Sequence, residues 1–264
     1  MTTKEEMNAN KISGPAEGEP TRNSPKRRAR IAGVLYLLVA IFGGFAQAFV
    51  YPKVYIAGDA ATTAGNVLAN AGLVRSGIVA DLFQAVVWVF VALALYRLLN
   101  QVNKGVASAM VVLVAMGASI TCLNALFEFE GLRVATGAVN LAAFGAAGSN
   151  ALVLLLVDAQ HYGLLIAQIF FGLWLAPLGY LAYKSGWFPK ALGIALVVTT
   201  VTYLVDMLAA FLVPDLGVQI HGFLSIAPAI AEPWMAGYLL LIGVRTVKPT
   251  ERIRAAMALP GAQA

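Results

Sequence analysis

The chain has 264 residues; 60 % are hydrophobic, only 12 % are charged, and the mean hydropathy is +0.78. Its 18 basic and 13 acidic residues are too few to coat a soluble domain, where about 25 % of residues are charged. A single cysteine excludes a disulfide scaffold and the apolar excess excludes a disordered chain, which leaves a multi-pass membrane protein.

Residues 1–30 are polar and lack apolar periodicity, so they read as a disordered basic tail. The tail closes on Lys26, Arg27, Arg28 and Arg30, directly before an apolar run. In that position a basic cluster reads as a topological anchor touching anionic lipid rather than as a nucleic-acid patch. The first spanning helix is expected over Ile31–Tyr51. Ala46-Gln47-Ala48 has the form of a signal cleavage site, but the apolar run continues past it, so the helix reads as uncleaved.

Five further runs have the roughly 20 mainly apolar residues that a span requires. They are Gly77–Leu99, Val106–Phe129, Tyr162–Tyr183, Ala191–Val213 and Phe223–Val244. Between Ile31–Tyr51 and Gly77–Leu99, Asp59–Ala71 reads as a short helix. Val134–Val157 is rich in Ala and Gly and is long enough to pose as a seventh span, but charge decides against it. With six helices and the N-terminus inside, 15 of the 18 Lys and Arg lie on the cytoplasmic side. Only Lys53, Arg75 and Arg133 then lie outside. A seventh span would export Lys184, Lys190 and the C-terminal cations. The expected fold is therefore all-α, an integral membrane bundle of six transmembrane helices over residues 31–245 with both termini cytoplasmic. Residues 246–264 form a cytoplasmic tail, and Val134–Val157 supplies an interfacial helix and an outward extension of helix four.

Four stretches carry a family resemblance. They are Arg30 to Leu38, Ala92 to Leu99 followed by Val102-Asn103-Lys104, Phe171 to Tyr180, and Tyr183 to Lys190 leading to Leu192-Gly193. The turn Lys184-Ser185-Gly186-Trp187-Phe188-Pro189 is the most specific piece. In this order and spacing the chain resembles the bacterial membrane proteins grouped as domain-of-unknown-function family 4386. The resemblance implies a bacterial multi-pass membrane protein, here placed in the plasma membrane. It implies no activity, substrate or catalytic residue.

Ionisable residues inside a span are costly, so they are the functional candidates. Helix two carries Asp81 and Gln84, helix three Asn124 and Glu128, helix four His161 and Gln168, helix five Asp206, and helix six Glu232 between Pro228 and Pro233. At 1.5 Å per residue, Asp206 and Glu232 lie about 10 and 13 Å from the outer ends of their helices. All the carboxylates fall in the outer half. Converging faces would make an outward-facing acidic cavity, with Arg75 and Arg133 as rim counter-charges, suited to a small cationic or amphiphilic ligand. Pro228 and Pro233 break hydrogen bonds beside Glu232, as in broken transporter helices.

Two other classes of function stand beside this one. His161, His221 and Asp206 are the metal-ligand candidates of a metal-dependent membrane hydrolase, although no His-x-x-Glu-His or His-Glu-x-x-His spacing is present. Alternatively the acids serve only as interhelical glue in a non-catalytic structural or partner-binding protein. No catalytic constellation and no phosphate-cradling glycine loop is present, so no cofactor is expected. Paired three-by-three as an inverted repeat, the helices would set Asp81 against Asp206; both lie in the outer half, so the acids do not support a repeat.

Overall fold

The computed structural model describes residues 24–245. The flanking segments 1–23 and 246–264, which hold most of the expected tails, lie outside them. The described residues contain helices and no strand, and six helical segments are long and apolar enough to cross a membrane. The chain is an all-α, six-helix membrane bundle.

The spans are Pro25–Val54, Ala71–Leu99, Lys104–Ala135, Ala142–Ser185, Lys190–Leu212 and Pro214–Ile242. All but the fifth are longer than hydropathy alone marks. Hydropathy reads only the hydrocarbon-embedded part, whereas a helix runs on to the residue that caps it. The first helix, α1 (Pro25–Gly43), shows this. Ser24 accepts from the Arg27 backbone N–H and Pro25 occupies the first turn, so Lys26, Arg27, Arg28 and Arg30 belong to the helix and not to a tail. α1 continues through a π-helical segment, Gly44–Val50, into α2 (Tyr51–Val54).

α3 (Ala60–Ala69) is the short helix expected after Asp59. Asp59 caps it, accepting from the Thr62 N–H at 2.9 Å and from the Thr62 hydroxyl at 2.7 Å. These bonds hold its carboxyl below the usual carboxylate range. The capping stability is complete above the unfolded aspartate value of about 3.9 and is lost as pH falls through the lower folded value. Asp59→Ala is expected to lower the unfolding midpoint at neutral pH, with the gap from the parent closing in strong acid. Thermal unfolding followed across pH checks this.

α4 (Ala71–Leu99) and α5 (Lys104–Ala135) form the second and third spans, with Asn103 capping α5 through the Val106 N–H. The Ala- and Gly-rich stretch is not a separate span. A 3-10 turn at Ala142–Phe144 leads into α6 (Gly145–Leu173), which extends the fourth span at its N-terminal end. The helix breaks at Trp174 and resumes as α7 (Leu175–Ser185). Gly186 then adopts a left-handed φ of +68°, and Pro189 starts α8 (Lys190–Leu212). The sixth span is jointed into α9 (Pro214–Leu224), α10 (Ile226–Gly237) and a π-helical end, Tyr238–Ile242. Pro228 falls in the first turn of α10, where a missing N–H costs little; only Pro233 interrupts the helix interior.

Neighbouring spans pack in chain order, and the last returns to the first. The two ends of the described segment meet at one face of the bundle, here the terminal end: the Arg245 N–H bonds the Trp187 carbonyl, and Gly243 abuts Lys26. The larger core holds Tyr36, Trp88, Leu95, Trp174, Leu178 and Leu239. A smaller core of Val54, Val67, Ile78, Leu132 and Val153 sits under α3 at the far end. Phe90, Val112, Leu155 and Val201 face outward, as lipid contact requires.

Candidate functional site

The first span presents Tyr36, Ala40 and Gly43 from α1, at spacings of four and three that place them on one face, and Gln47 from the π-helical segment that follows; all four line one of two chambers. Opposite this face stand α8 with Tyr203 and Asp206, and α10 with Glu232. Between them lies a chamber of about 750 Å³ lined by Gln47, Gln168, Thr202, Tyr203, Asp206, His221, Ser225 and Glu232 among apolar residues. A second chamber of about 460 Å³ shares Ala40, Gly44, Gln47, Tyr203, Glu232 and Pro233 with the first and adds Tyr36, Gln84 and Leu240. Both volumes fall in the range of small-molecule sites, roughly 300–1,000 Å³.

Glu232 stands at the junction of the chambers. The Tyr36 hydroxyl donates to Oε2 at 3.0 Å and the Tyr203 hydroxyl to Oε1 at 2.8 Å. Each carboxyl oxygen thus lies within hydrogen-bond reach of one tyrosine hydroxyl. The two carboxylate oxygens of buried Asp206 both lie 3.0 Å from Nδ1 of His221. The His221 side chain is 59 % exposed, against 9 % for Asp206, so the imidazole covers the acid from the chamber mouth. Gln168 reaches the same chamber, and its Oε1 is buried without a partner.

Asp81 joins indirectly. Its Oδ2 accepts from the Gln47 side chain at 2.9 Å, while Oδ1 is buried without a partner. Gln47 thus links Asp81 to both chambers. Gln84 lines the second chamber and packs over Gly43, where a Cβ would lie 2.7 Å from its Oε1.

Three candidates stand apart from the lining of these chambers. Asn124 packs against Gly163 where α5 meets α6, with its Nδ2 unpartnered. His161 stacks on Tyr51 and Tyr55, with centroids 5.9 and 5.5 Å away, and the Tyr55 hydroxyl donates to Asp158 at 2.7 Å. Glu128 is partly buried on α5 and lines neither chamber. The expected single cavity therefore contracts to Gln84, Gln168, Asp206 and Glu232, with Asp81 one hydrogen bond away. Arg133 is not a rim counter-charge: it pairs with Glu130 on its own helix at 2.8 Å. Among the described residues no three His, Cys, Asp or Glu side chains, His161, His221 and Asp206 included, form a group that could hold a metal ion. Sequence reasoning missed Tyr36 and Gln47 as site residues. Their polar character within the apolar first span was the available signal.

The fold and this polar interior define an integral membrane protein with a chambered helix bundle. The family model described as a domain of unknown function (DUF4386) matches residues 31–243, so the chain belongs to that family. No curated protein and no solved structure matches the chain.

Proposed function

We propose that the protein binds a small cationic or amphiphilic ligand in the chamber bounded by α1, α8, α9 and α10. The observation that carries this reading is the meeting of two carboxylates, Asp206 and Glu232, on one chamber that no lysine or arginine lines. A buried carboxylate in a membrane protein calls for a cation or a hydrogen-bond donor, and low-dielectric walls strengthen the attraction. Gln47, Gln168, Thr202, Tyr203 and Ser225 supply orienting polar groups, and Leu224, Pro228 and Pro233 are among the apolar part of the lining.

We infer a plasma-membrane location with both termini cytoplasmic and the chamber mouth outside. In support, Lys26, Arg27, Arg28, Arg30, Arg97, Lys104, Lys184, Lys190 and Arg245 fall at or beside the terminal ends of the spans, while Lys53, Arg75 and Arg133 fall at the far ends. On this reading the α1 cluster of Lys26, Arg27, Arg28 and Arg30 contacts anionic lipid headgroups.

The test is thermal unfolding of the purified protein in lipid nanodiscs, with and without butylammonium. A ligand that binds only the folded state at 100 times its Kd stabilises it by about 2.7 kcal/mol. Asp206→Asn and Glu232→Gln are each expected to remove this stabilisation while the protein still folds. An equal shift in the variants, or no shift in the parent, overturns the reading.

The second outcome favours a structural role. Its supporting observation is that each acid already has protein partners: Tyr36 and Tyr203 for Glu232, and His221 for Asp206. Under that reading a variant carrying both Asp206→Asn and Glu232→Gln changes stability alone.

A further inference from the structure

The second chamber differs from the first in what bounds it. At the terminal end, α1 and the sixth span are in backbone contact: a Cβ on Gly33 would lie 2.5 Å from the Leu240 nitrogen and 2.9 Å from the Leu239 carbonyl carbon. Toward the far end the two helices part. Gly44 lies eleven residues beyond Gly33, about 16 Å along the helix. A Cβ on Gly44 would meet nothing within 4 Å, and the same holds for Gly237 on the opposite wall. The gap between the helices is therefore a wedge, closed at Gly33 and open above it.

The wall residues of the wedge reach the outer surface of the bundle. Leu37 is 43 % exposed and lines the chamber from α1, and Pro233 is exposed on the opposing helix. In a membrane span, this surface meets lipid chains and not water. The inner end of the wedge is polar: Glu232 with its two tyrosine donors, and Gln47 and Gln84 beside it. A passage that runs from hydrocarbon to a carboxylate matches one kind of molecule along its whole length.

We propose that the wedge between α1 and the sixth span is a lateral portal for a long-chain amphiphile with an ammonium head. The head pairs with Glu232, and the alkyl chain lies past Ala236 and Gly237 toward the surrounding lipid. This deepens the cation-binding reading and rests on it. The positive charge follows from the carboxylate, and the chain follows from the apolar opening to the bilayer.

The experiment uses dodecylammonium with a photoreactive diazirine at the end of its chain. The full-length protein in nanodiscs is irradiated and the labelled residues are mapped by mass spectrometry. Labelling is expected to concentrate on the wedge walls at Leu37, Ala236, Gly237 and Leu240. Glu232→Gln is expected to reduce it about tenfold, the loss that follows when a charge-assisted bond worth about 1.4 kcal/mol is removed. Gly237→Leu, which fills open space, is expected to displace the label from the wedge walls. Label spread evenly over outward residues such as Phe90 and Val201, and indifferent to Glu232→Gln, overturns the portal. If butylammonium stabilises the protein but the label is spread in this way, the portal alone fails. If butylammonium does not stabilise it, the cation reading fails and the portal falls with it.

Discussion

Valine at Gly193 is expected to leave little folded protein. Gly193 of α8 and Gly179 of α7 pack backbone to backbone. A Cβ on Gly193 would lie 2.8 Å from the Gly179 carbonyl oxygen and 3.0 Å from the Tyr183 nitrogen. A Cβ on Gly179 would lie 2.6 Å from the Gly193 carbonyl oxygen. Neither obstacle is a side chain that can rotate away, so the helices must separate. Overpacking a core costs about 1–3 kcal/mol where side chains absorb it, and more where the backbone has to move. Close packing of small residues is also what holds helices together in lipid, where no hydrophobic drive between them remains. Separation at this crossing would loosen Leu178, Leu181, Leu192 and Leu196, which are all fully buried. Gly193→Val and Gly179→Val are each expected to cost about 3 kcal/mol or more, read as loss of monodisperse protein and a lowered unfolding midpoint. Gly72→Ala is the control, since a Cβ there meets nothing within 4 Å.

The second large effect concerns the tyrosines on Glu232. Tyr36→Phe and Tyr203→Phe each remove one donor and leave one carboxylate oxygen without it. Two magnitudes are in competition. An interhelical hydrogen bond in a membrane averages about 0.6 kcal/mol. A bond to a charged group is worth about 1.5–3 kcal/mol. If Glu232 is held ionised, as the proposed cation site requires, the larger value is expected for each single variant. Because the two tyrosines share one carboxylate, their effects are expected to be non-additive, and a double-mutant cycle measures the coupling. Unfolding midpoints of the two single variants and the double variant in one lipid supply the data. Losses near 0.6 kcal/mol would mean that Glu232 is held as a neutral acid.

Much of the architecture was legible in the sequence because the bilayer sets the length of an apolar run. Six apolar runs became six spans, and the cation count correctly refused a seventh at Val134–Val157. The short helix after Asp59 and the turn at Gly186 and Pro189 follow from local capping chemistry. Helix ends were less legible. Lys26 to Arg30 entered α1 because Ser24 and Pro25 start a helix upstream of the apolar residues. The joints at Trp174 and Ser225 and the two π-helical segments carry no composition signal.

The candidate site was legible only in part, for a reason particular to membranes. In water, a helix's buried face is marked by apolar residues. In lipid both faces are apolar, so periodicity does not say which way a polar residue points. Asp206 and Glu232 could be chosen as costly residues, but their grouping depends on long-range partners: Tyr36 and Glu232 lie 196 residues apart in the chain. His161 and Glu128 were equally costly by sequence, yet they lie outside the chambers, with His161 drawn instead into a ring stack. Tyr36 and Gln47 were overlooked because neutral residues in a span attract less notice than acids.

The central claim is that Asp206 and Glu232 act on one ligand in one chamber. Calorimetric titration of butylammonium into the nanodisc-embedded protein tests it most directly. Saturable binding at one ion per chain is expected, abolished in the variant carrying both Asp206→Asn and Glu232→Gln. Saturable binding that survives in that variant, or no saturable binding in the parent, would contradict it.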